Sequence, residues 1–218
     1  MYNSGMTRLL LFLAALFLTL PTFAAEPPPR IVWFGDSITK AGYPKVLGEV
    51  LKLDVVNAGV GGNTTAAGLK RMQKDVLDAK PSIVVIFFGT NDCRLAEPEV
   101  AVPLAQYEKN LTTMIDASEI IGAKVILCTM PPINPEPYFK RHKKEPFEAA
   151  GGLEKVCEQY RATVRKIAET KKLPLVDLAP LLAKTPEWQA PDGVHPTPEG
   201  TKLIAKHIAT AITPLLPK

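Results

Sequence analysis

Short apolar runs and longer amphipathic runs alternate along most of the chain. Five of the short runs are rich in Val, Ile and Phe, and most are continuously apolar. That composition is typical of parallel β-strands buried on both faces. The runs predict strands at 31–34, 54–57, 82–88, 124–129 and 175–178.

The segments between these runs carry apolar residues at spacings of three and four, which predicts helices packed on a sheet. The predicted helices are 44–52, 64–79, 102–121 and 153–172. In 64–79 the stripe expected to be buried is Leu69, Met72, Val76 and Leu77. The residues expected to face away are Lys70, Arg71, Lys74 and Asp75. A last helix is predicted to begin at Pro198, with Thr197 as its N-cap.

The order of these elements predicts the fold class. Strands that alternate with helices favour an α/β protein in which helices cover both faces of a parallel sheet. We therefore expect a three-layer α/β/α sandwich with a five-stranded parallel sheet, formed by one domain over residues 26–218. In such sheets ligands bind outside the carboxyl ends of the strands, so we expect the chemistry in the loops that follow them.

The first 25 residues differ from the rest of the chain. A short polar start with Arg8 leads into an apolar run over 9–20, followed by Pro21 and small residues. This layout predicts a secretory signal peptide over 1–25 and export of the remaining chain; an uncleaved anchor is the alternative. Removing the segment lowers the net charge of +4 by one unit. The remaining charge is too mild to indicate a nucleic-acid partner, and stable membrane insertion is not expected after cleavage.

The three cysteines have no metal-ligand spacing, and an odd number cannot close fully into internal pairs. Cys128 lies in an apolar run and is expected to pack as a small hydrophobic residue. Cys93 is expected to be a packed neighbour of the site rather than a reactive group. Whether Cys93, Cys128 or Cys157 form a disulfide stays open.

Three predicted strands end in polar, glycine-rich segments. These are GDS at 35–37, NAGVGGNT at 57–64 and GTND at 89–92. Considered without the other segments, Ser37 is expected to be a helix cap. As a nucleophile it would also need a base, a group that orients the base, and donors for an oxyanion. Gly61 and Gly62 permit close backbone approach, and Asn91 offers a neutral amide donor.

The best candidate for the base lies far away in sequence, at 192–195 (DGVH). Asp192 stands three residues before His195, and Gly193 permits a tight turn between them. The carboxylate can then hold one ring nitrogen of His195 and leave the other free to accept the serine proton. His142 and His207 have no acidic sequence neighbour placed as well.

Together, these blocks resemble those of the SGNH (GDSL-type) hydrolase superfamily. They stand in that family's order as GDSI at 35–38, NAGVGGNT at 57–64, GTND at 89–92 and DGVH at 192–195. The isoleucine that replaces the family's leucine occupies an apolar packing position. The resemblance implies a flavodoxin-like fold and a serine esterase that needs no cofactor and no metal.

The resemblance also implies a role for each matching residue. Ser37 would be the nucleophile, His195 the base and Asp192 the group that orients the base. The oxyanion would be bound by the backbone N–H groups of Ser37 and Gly62 and by the side chain of Asn91. An acyl-enzyme on Ser37 would form and then be hydrolysed.

Other residues close to the blocks are given different roles. Gly61 competes with Gly62 as a donor, and Gly62 is preferred because it lies nearer the predicted helix start. Asp36 and Asp92 are expected to hold loop N–H groups. The long segment 131–144 is either a solvated basic turn or a wall of the substrate cleft, where Tyr138 and Phe139 would stack on a sugar or an acyl chain.

These observations and the resemblance favour an exported esterase that hydrolyses small acyl esters, acetyl esters above all. Export and analogy with the family indicate carbohydrates as the molecules that carry the acyl groups. A lysophospholipase or thioesterase for longer acyl chains is the first alternative. A catalytically inactive polysaccharide-binding module on the same scaffold is the second. The sequence leaves the acyl length, the alcohol and the oligomeric state undetermined.

Overall fold

The computed structural model describes residues 28–216, apart from the side chain of Pro186. The predicted signal peptide at 1–25 lies outside the described residues. Within them, no helix combines the length and the apolar character needed to cross a membrane.

Five parallel strands form the sheet at the centre of the structure. They are β1 (Arg30–Gly35), β2 (Asp54–Gly59), β3 (Ile83–Phe87), β4 (Lys124–Cys128) and β5 (Leu175–Val176). Their order is β2-β1-β3-β4-β5, so β1 lies between β2 and β3. In register, the last residue of β1, Gly35, pairs with Gly59 and with Phe87. The predicted parallel sheet is confirmed, in the flavodoxin-like strand order.

Helices cover both faces of this sheet. The longer helices are α2 (Tyr43–Leu51), α3 (Thr65–Met72), α4 (Leu104–Ile120), α7 (Leu153–Lys171) and α9 (Pro198–Ile212). The short helices are α1 (Ser37–Lys40), α5 (Pro135–Tyr138), α6 (Glu145–Ala149) and α8 (Leu178–Leu182). Single 3-10 turns occupy Pro186–Trp188 and Thr213–Leu215.

Two hydrophobic cores, one on each face, explain why the strands are continuously apolar. Phe34 and Ile86 point into the core formed with α3, α4 and α7. Trp33 and Val85 point into the core formed with α2, α8 and α9. Because successive side chains of a strand face opposite sides, a strand buried on both sides has no polar face. The three-layer sandwich is therefore confirmed.

Two predicted elements differ from the structure. The helix predicted at 64–79 is α-helical only to Met72 and continues as a π-helical turn, Gln73–Leu77. The strand predicted at 175–178 ends at Val176, and Leu178 already belongs to α8. Asp177 separates them, because its carboxylate accepts hydrogen bonds from Thr129 and Arg165.

All three cysteines are free and buried. Cys128 packs in the core beneath α9, while Cys93 and Cys157 pack in the core on the opposite face. The expectation that Cys93 and Cys128 are packed side chains is confirmed. The pKa of the Cys93 thiol is raised by its hydrogen bond with Cys157 and by burial, so it does not form a thiolate readily.

The N-cap of α9 gives a test of the fold. Thr197 accepts a 2.9 Å hydrogen bond from the Gly200 N–H, as the sequence predicts. We expect Thr197→Ala to lower the free energy of unfolding by about 1 kcal/mol, because an orphan N–H of the helix loses its acceptor. Urea denaturation measures this change. Thr210→Ala, an exposed change on the same helix, is the control, and an equal effect of the two would contradict the prediction.

Candidate active site

Ser37 lies at the carboxyl end of β1, as the first residue of α1. The helix cap is Asp36, whose Oδ1 accepts a 2.9 Å hydrogen bond from the Ile38 N–H. The capping interpretation considered for Ser37 therefore applies to Asp36. Because Asp36 meets the helix's need for an acceptor, the Ser37 hydroxyl is left free for another partner.

That partner is His195, which is 158 residues away in sequence. Ser37 Oγ lies 2.8 Å from His195 Nε2. The other ring nitrogen, Nδ1, lies 2.5 Å from Oδ2 of Asp192. A carboxylate accepts hydrogen bonds, so Nδ1 carries the hydrogen and Nε2 is the free acceptor of the neutral imidazole. The structure thus joins all three residues of the predicted triad in one hydrogen-bonded chain.

A tight turn holds Asp192 and His195 in this arrangement. Asp192 Oδ1 accepts hydrogen bonds from the backbone N–H groups of Val194 at 2.9 Å and His195 at 3.0 Å. Gly193 adopts φ +75°, a conformation that favours glycine. Burial alone would raise the pKa of Asp192, but hydrogen bonds from His195 and the two N–H groups lower it. Asp192 therefore stays ionised opposite the imidazole.

The predicted oxyanion donors lie around the same cavity of about 230 Å³. Ser37, Gly62 and Asn91 line it, whereas Gly61 is absent from its described lining. The Asn91 amide donates one hydrogen to the Asn63 carbonyl at 3.0 Å. Its second hydrogen is available for another acceptor, because an amide nitrogen carries two.

Asp36 and Asp92 lie buried beneath the site and hold its loops, as expected. Asp92 Oδ1 accepts from the Thr65 N–H at 2.9 Å and from the Thr65 hydroxyl at 2.5 Å. Burial raises the pKa of Asp92 to about 6, although these bonds oppose the shift. Burial, with a smaller contribution from Asp92, raises the pKa of Asp36 to about 7 against the hydrogen bond from Ile38.

The position of Arg71 differs from the one that helical periodicity predicts. Periodicity predicts an outward-facing residue, but the side chain is only 17% exposed and lies under the site. It donates to the carbonyls of Gly35 at 2.9 Å and Ala58 at 2.8 Å, and to Asn63 Oδ1 at 2.7 Å. Arg71 therefore ties the end of β1 to the end of β2 and to the loop that carries Gly62.

The difference has a geometric cause. Arg71 follows buried Gly68 by three residues and so lies at the edge of the apolar stripe rather than opposite it. A long side chain at that edge can reach the carboxyl end of the sheet. Its guanidinium also stacks over Phe34, 4.6 Å from the ring centroid. The spacing from Gly68 is the one signal in the sequence that could have indicated this placement.

The segment 131–144 forms part of the cavity wall, with Tyr138, Arg141 and His142 in its lining. Tyr138 is only 2% exposed, and its ring packs on Phe147 and Phe139 and stacks on His142. The cleft-wall alternative therefore holds for Tyr138, although its nearly covered ring offers little open face for a sugar, whereas Phe139 is absent from the described lining. Arg141 and His142 supply the polar wall instead.

Comparison of the sequence with known protein families gives a match over most of the chain. A model of the GDSL-like lipase/acylhydrolase family matches residues 33–203. The chain belongs to this family. The SGNH resemblance is therefore confirmed, and this GDSL-family protein is an ester-hydrolysing enzyme. Family membership speaks against the inactive binding module.

Relatives of this GDSL-family enzyme cover most of its length. It is 33% identical over 211 residues to the uncharacterized lipoprotein YqeF of Bacillus subtilis, covering 82% of this chain and 87% of that protein. It is 31% identical over 204 residues to the isoamyl acetate-hydrolyzing esterase 1 homolog of Rattus norvegicus, covering 83% and 80%. The crystal structure of the acetyl xylan esterase AlAXEase is similar, with a TM-score of 0.70, 27% identity and coverage of 84% and 99%.

Replacing Arg71 tests its structural role. We expect Arg71→Met to lower the free energy of unfolding by about 2 kcal/mol and to reduce kcat, because two buried carbonyls lose a charged donor. Urea denaturation and steady-state kinetics on p-nitrophenyl acetate measure both effects. Lys74→Met, an exposed change in the following turn, is the matched control. Equal behaviour of the two variants would contradict the assigned role.

The raised pKa of Asp36 predicts how stability depends on pH. The pKa of this carboxyl group is 3.8 ordinarily and about 7 in the folded protein. The stabilisation from protonated Asp36 is therefore complete below pH 3.8. It is lost as the pH rises through about 7. Asp36→Asn keeps the capping oxygen but cannot ionise. As the pH rises from about 4 to about 8, we expect the free energy of unfolding of the wild type to fall by at least about 1 kcal/mol relative to that of this variant.

Urea denaturation at a series of pH values tests this expectation. Asp78→Asn, at an exposed position, is the control and should follow the wild type at every pH. If the Asp36→Asn profile also runs parallel to the wild type, Asp36 ionises in the folded protein at little cost and the prediction is wrong.

Proposed function

We propose that this protein is an exported serine esterase that hydrolyses small acyl esters, with acetyl esters on carbohydrates as its substrates. The observation that carries the proposal is the hydrogen-bonded chain from Ser37 through His195 to Asp192, beside a cavity lined by three candidate oxyanion donors. A hydroxyl, a base, an orienting carboxylate and oxyanion donors are the parts that acyl transfer through serine requires.

The proposed reaction proceeds in two steps. Ser37 Oγ attacks the ester carbonyl while His195 Nε2 takes its proton, and the resulting oxyanion is bound by the N–H groups of Ser37 and Gly62 and by Asn91. His195 then gives the proton to the leaving alcohol. Water attacks the acyl-enzyme with the same imidazole as base, which releases the acid and restores Ser37. Asp192 holds the tautomer and stabilises the imidazolium in both steps.

The size and lining of the cavity support a short acyl group. Its volume is about 230 Å³, and Arg94, Arg141 and His142 contribute polar groups to its walls. A long alkyl chain would gain little there, because each methylene contributes about 0.8 kcal/mol only when it is buried in apolar surroundings. The names of two relatives, one isoamyl acetate-hydrolyzing and one acetyl xylan esterase, support acetyl as the acyl group.

The proposal of export rests on the sequence of residues 1–25, with a single catalytic domain over 26–218. The relative YqeF is called a lipoprotein, which supports the proposal of export. A carbohydrate alcohol is consistent with that location and with the acetyl xylan esterase similarity.

The test is a panel of esters run on the wild type and on Ser37→Ala. We expect the wild type to hydrolyse p-nitrophenyl acetate and acetylated xylo-oligosaccharides, and Ser37→Ala to lower kcat at least about 10⁴-fold. Ser82→Ala, exposed just before β3, is the matched control and should leave kcat unchanged. Equal activity of Ser37→Ala and the wild type on every ester would contradict the proposed mechanism.

A ladder of acyl lengths tests the acyl preference separately. We expect kcat/KM to fall at least about tenfold from acetyl to octanoyl p-nitrophenyl esters, because the cavity around Ser37 is small and has Arg94, Arg141 and His142 in its walls. A rise in kcat/KM toward octanoyl or palmitoyl would instead support the lysophospholipase or thioesterase alternative with the same catalytic residues.

A further inference from the structure

The proposed catalytic cavity has a wall of positively charged and imidazole side chains. Of its described lining residues, four are of this kind and none carries a carboxylate: Arg94, Arg141, His142 and His195. The carboxylates of Glu97 and Asp192 bond to these groups from outside the lining. A substrate in the cavity therefore meets hydrogen-bond donors and positive charge first.

Glu97 is bonded to two of these four groups. His142 Nδ1 lies 2.8 Å from Glu97 Oε1, and Arg94 forms an ion pair with the same carboxylate. Burial would raise the pKa of Glu97, but its hydrogen bonds with Arg94 and His142 lower it, so Glu97 is ionised. The ion pair with Glu97 therefore compensates the charge of Arg94 on this side of the cavity.

Arg141 is placed differently. Its Nη2 donates to the backbone carbonyl of Asp192 at 2.6 Å, and its Nη1 lies 4.0 Å from Asp192 Oδ2. That oxygen is already bonded to His195. Within residues 28–216 no other carboxylate lies within ion-pair distance of Arg141. The side chain is 46% exposed, and most of the five N–H donors of a guanidinium remain available.

The position of Arg141 also indicates which half of the ester it faces. His195 must protonate the leaving alcohol, so the alcohol lies on the side of the cavity formed by the Asp192 to His195 turn. Arg141 is bonded to that same turn. A planar guanidinium with free donors is suited to a carboxylate, which it can bind through two parallel hydrogen bonds.

We propose that Arg141 binds a carboxylate on the alcohol half of the substrate. The enzyme would then prefer esters in which the hydroxyl group of a hydroxy acid carries the acyl group and its carboxylate is free, such as acylated uronate sugars. This inference rests on the proposed serine esterase function, because it assigns the substrate class of that site. It predicts selectivity between charged and neutral alcohols, which the triad by itself does not.

The experiment compares 3- and 4-acetoxybenzoate with the corresponding acetoxybenzamides, which are neutral and of nearly the same shape. Each kcat/KM is divided by the rate of hydroxide-catalysed hydrolysis of the same compound, which removes differences in leaving-group reactivity. For at least one isomer we expect the wild type to favour the carboxylate about tenfold, and Arg141→Gln to bring this ratio to about one. Salt at about 1 M should also lower the wild-type ratio, since the guanidinium is partly exposed.

Lys140→Gln is the matched control. It removes one positive charge at the neighbouring position, where the ammonium is 70% exposed and pairs with Glu136, and it should leave the ratio at its wild-type value. If Arg141→Gln lowers both rates equally, Arg141 only holds the Asp192 turn and the inference is overturned. A wild type that hydrolyses the acetoxybenzoates and the acetoxybenzamides with equal normalised kcat/KM would overturn it as well, with the esterase function intact.

A binding measurement separates this inference from the proposed function. Calorimetry on Ser37→Ala, with and without Arg141→Gln, measures the affinity for the same acetoxybenzoates and acetoxybenzamides without turnover. Tighter binding of the carboxylate that is lost with Arg141→Gln supports the inference, even if the wild type hydrolyses none of these esters. Equal affinities in both backgrounds overturn it, whatever the rates are.

Discussion

The hydrogen bond between Ser37 Oγ and His195 Nε2 joins two segments 158 residues apart, and the architecture around it serves to make that contact possible. Ser37 is held by the end of β1, which is locked between β2 and β3 in register. His195 is held by the segment just before α9: its carbonyl accepts from the Ala190 N–H, and the Thr197 N–H donates to the Trp188 carbonyl. Because α9 packs on the same sheet, the imidazole meets the hydroxyl without a long flexible connection. A contact of hydrogen-bond length between distant groups needs such rigid support on both sides.

Beneath this contact the loops are tied together by buried polar groups rather than by apolar packing. Arg71 joins the ends of β1 and β2, and Asp92 joins the end of β3 to the start of α3. Arg71 adds a charged donor to the carbonyls of Gly35 and Ala58, although Gly35 also accepts from the Val60 N–H. Asp92 supplies the acceptor for the Thr65 N–H, and a buried polar group left unpaired costs about 1–3 kcal/mol. The raised pKa values of Asp36 and Asp92 are the electrostatic consequence of placing carboxyl groups there. Polar networks of this kind hold a site in one geometry because alternative arrangements leave some member unpaired.

The segment 131–144 connects these rigidly held loops with the part of the cavity that selects the substrate. The Asn134 N–H donates to the Gly193 carbonyl, and Arg141 donates to the Asp192 carbonyl, so the segment clamps the turn that carries the base. Arg141 and His142 of this segment also line the polar side of the cavity. Catalytic geometry and the charge seen by the substrate therefore depend on one connection, which is how a common scaffold acquires different specificities through its loops.

The sequence by itself determined the layers, the five strands, the helix cap at Thr197 and the four blocks, because these depend on local periodicity and on residue types at short spacing. It also indicated that Ser37 and Asn91 lie close together, since the carboxyl ends of parallel strands share an edge. Asp192 and His195 were joined to them by the need of a serine nucleophile for a base and by the family resemblance. The tertiary structure alone decided that Arg71 turns under the site, that Tyr138 packs inward, and that Glu97 pairs with His142 although 45 residues separate them. Long polar side chains reach several ångströms from their backbone and follow whichever unpaired group the fold brings near. Periodicity reports only the direction in which a side chain leaves the helix, and for such residues the direction does not decide the partner.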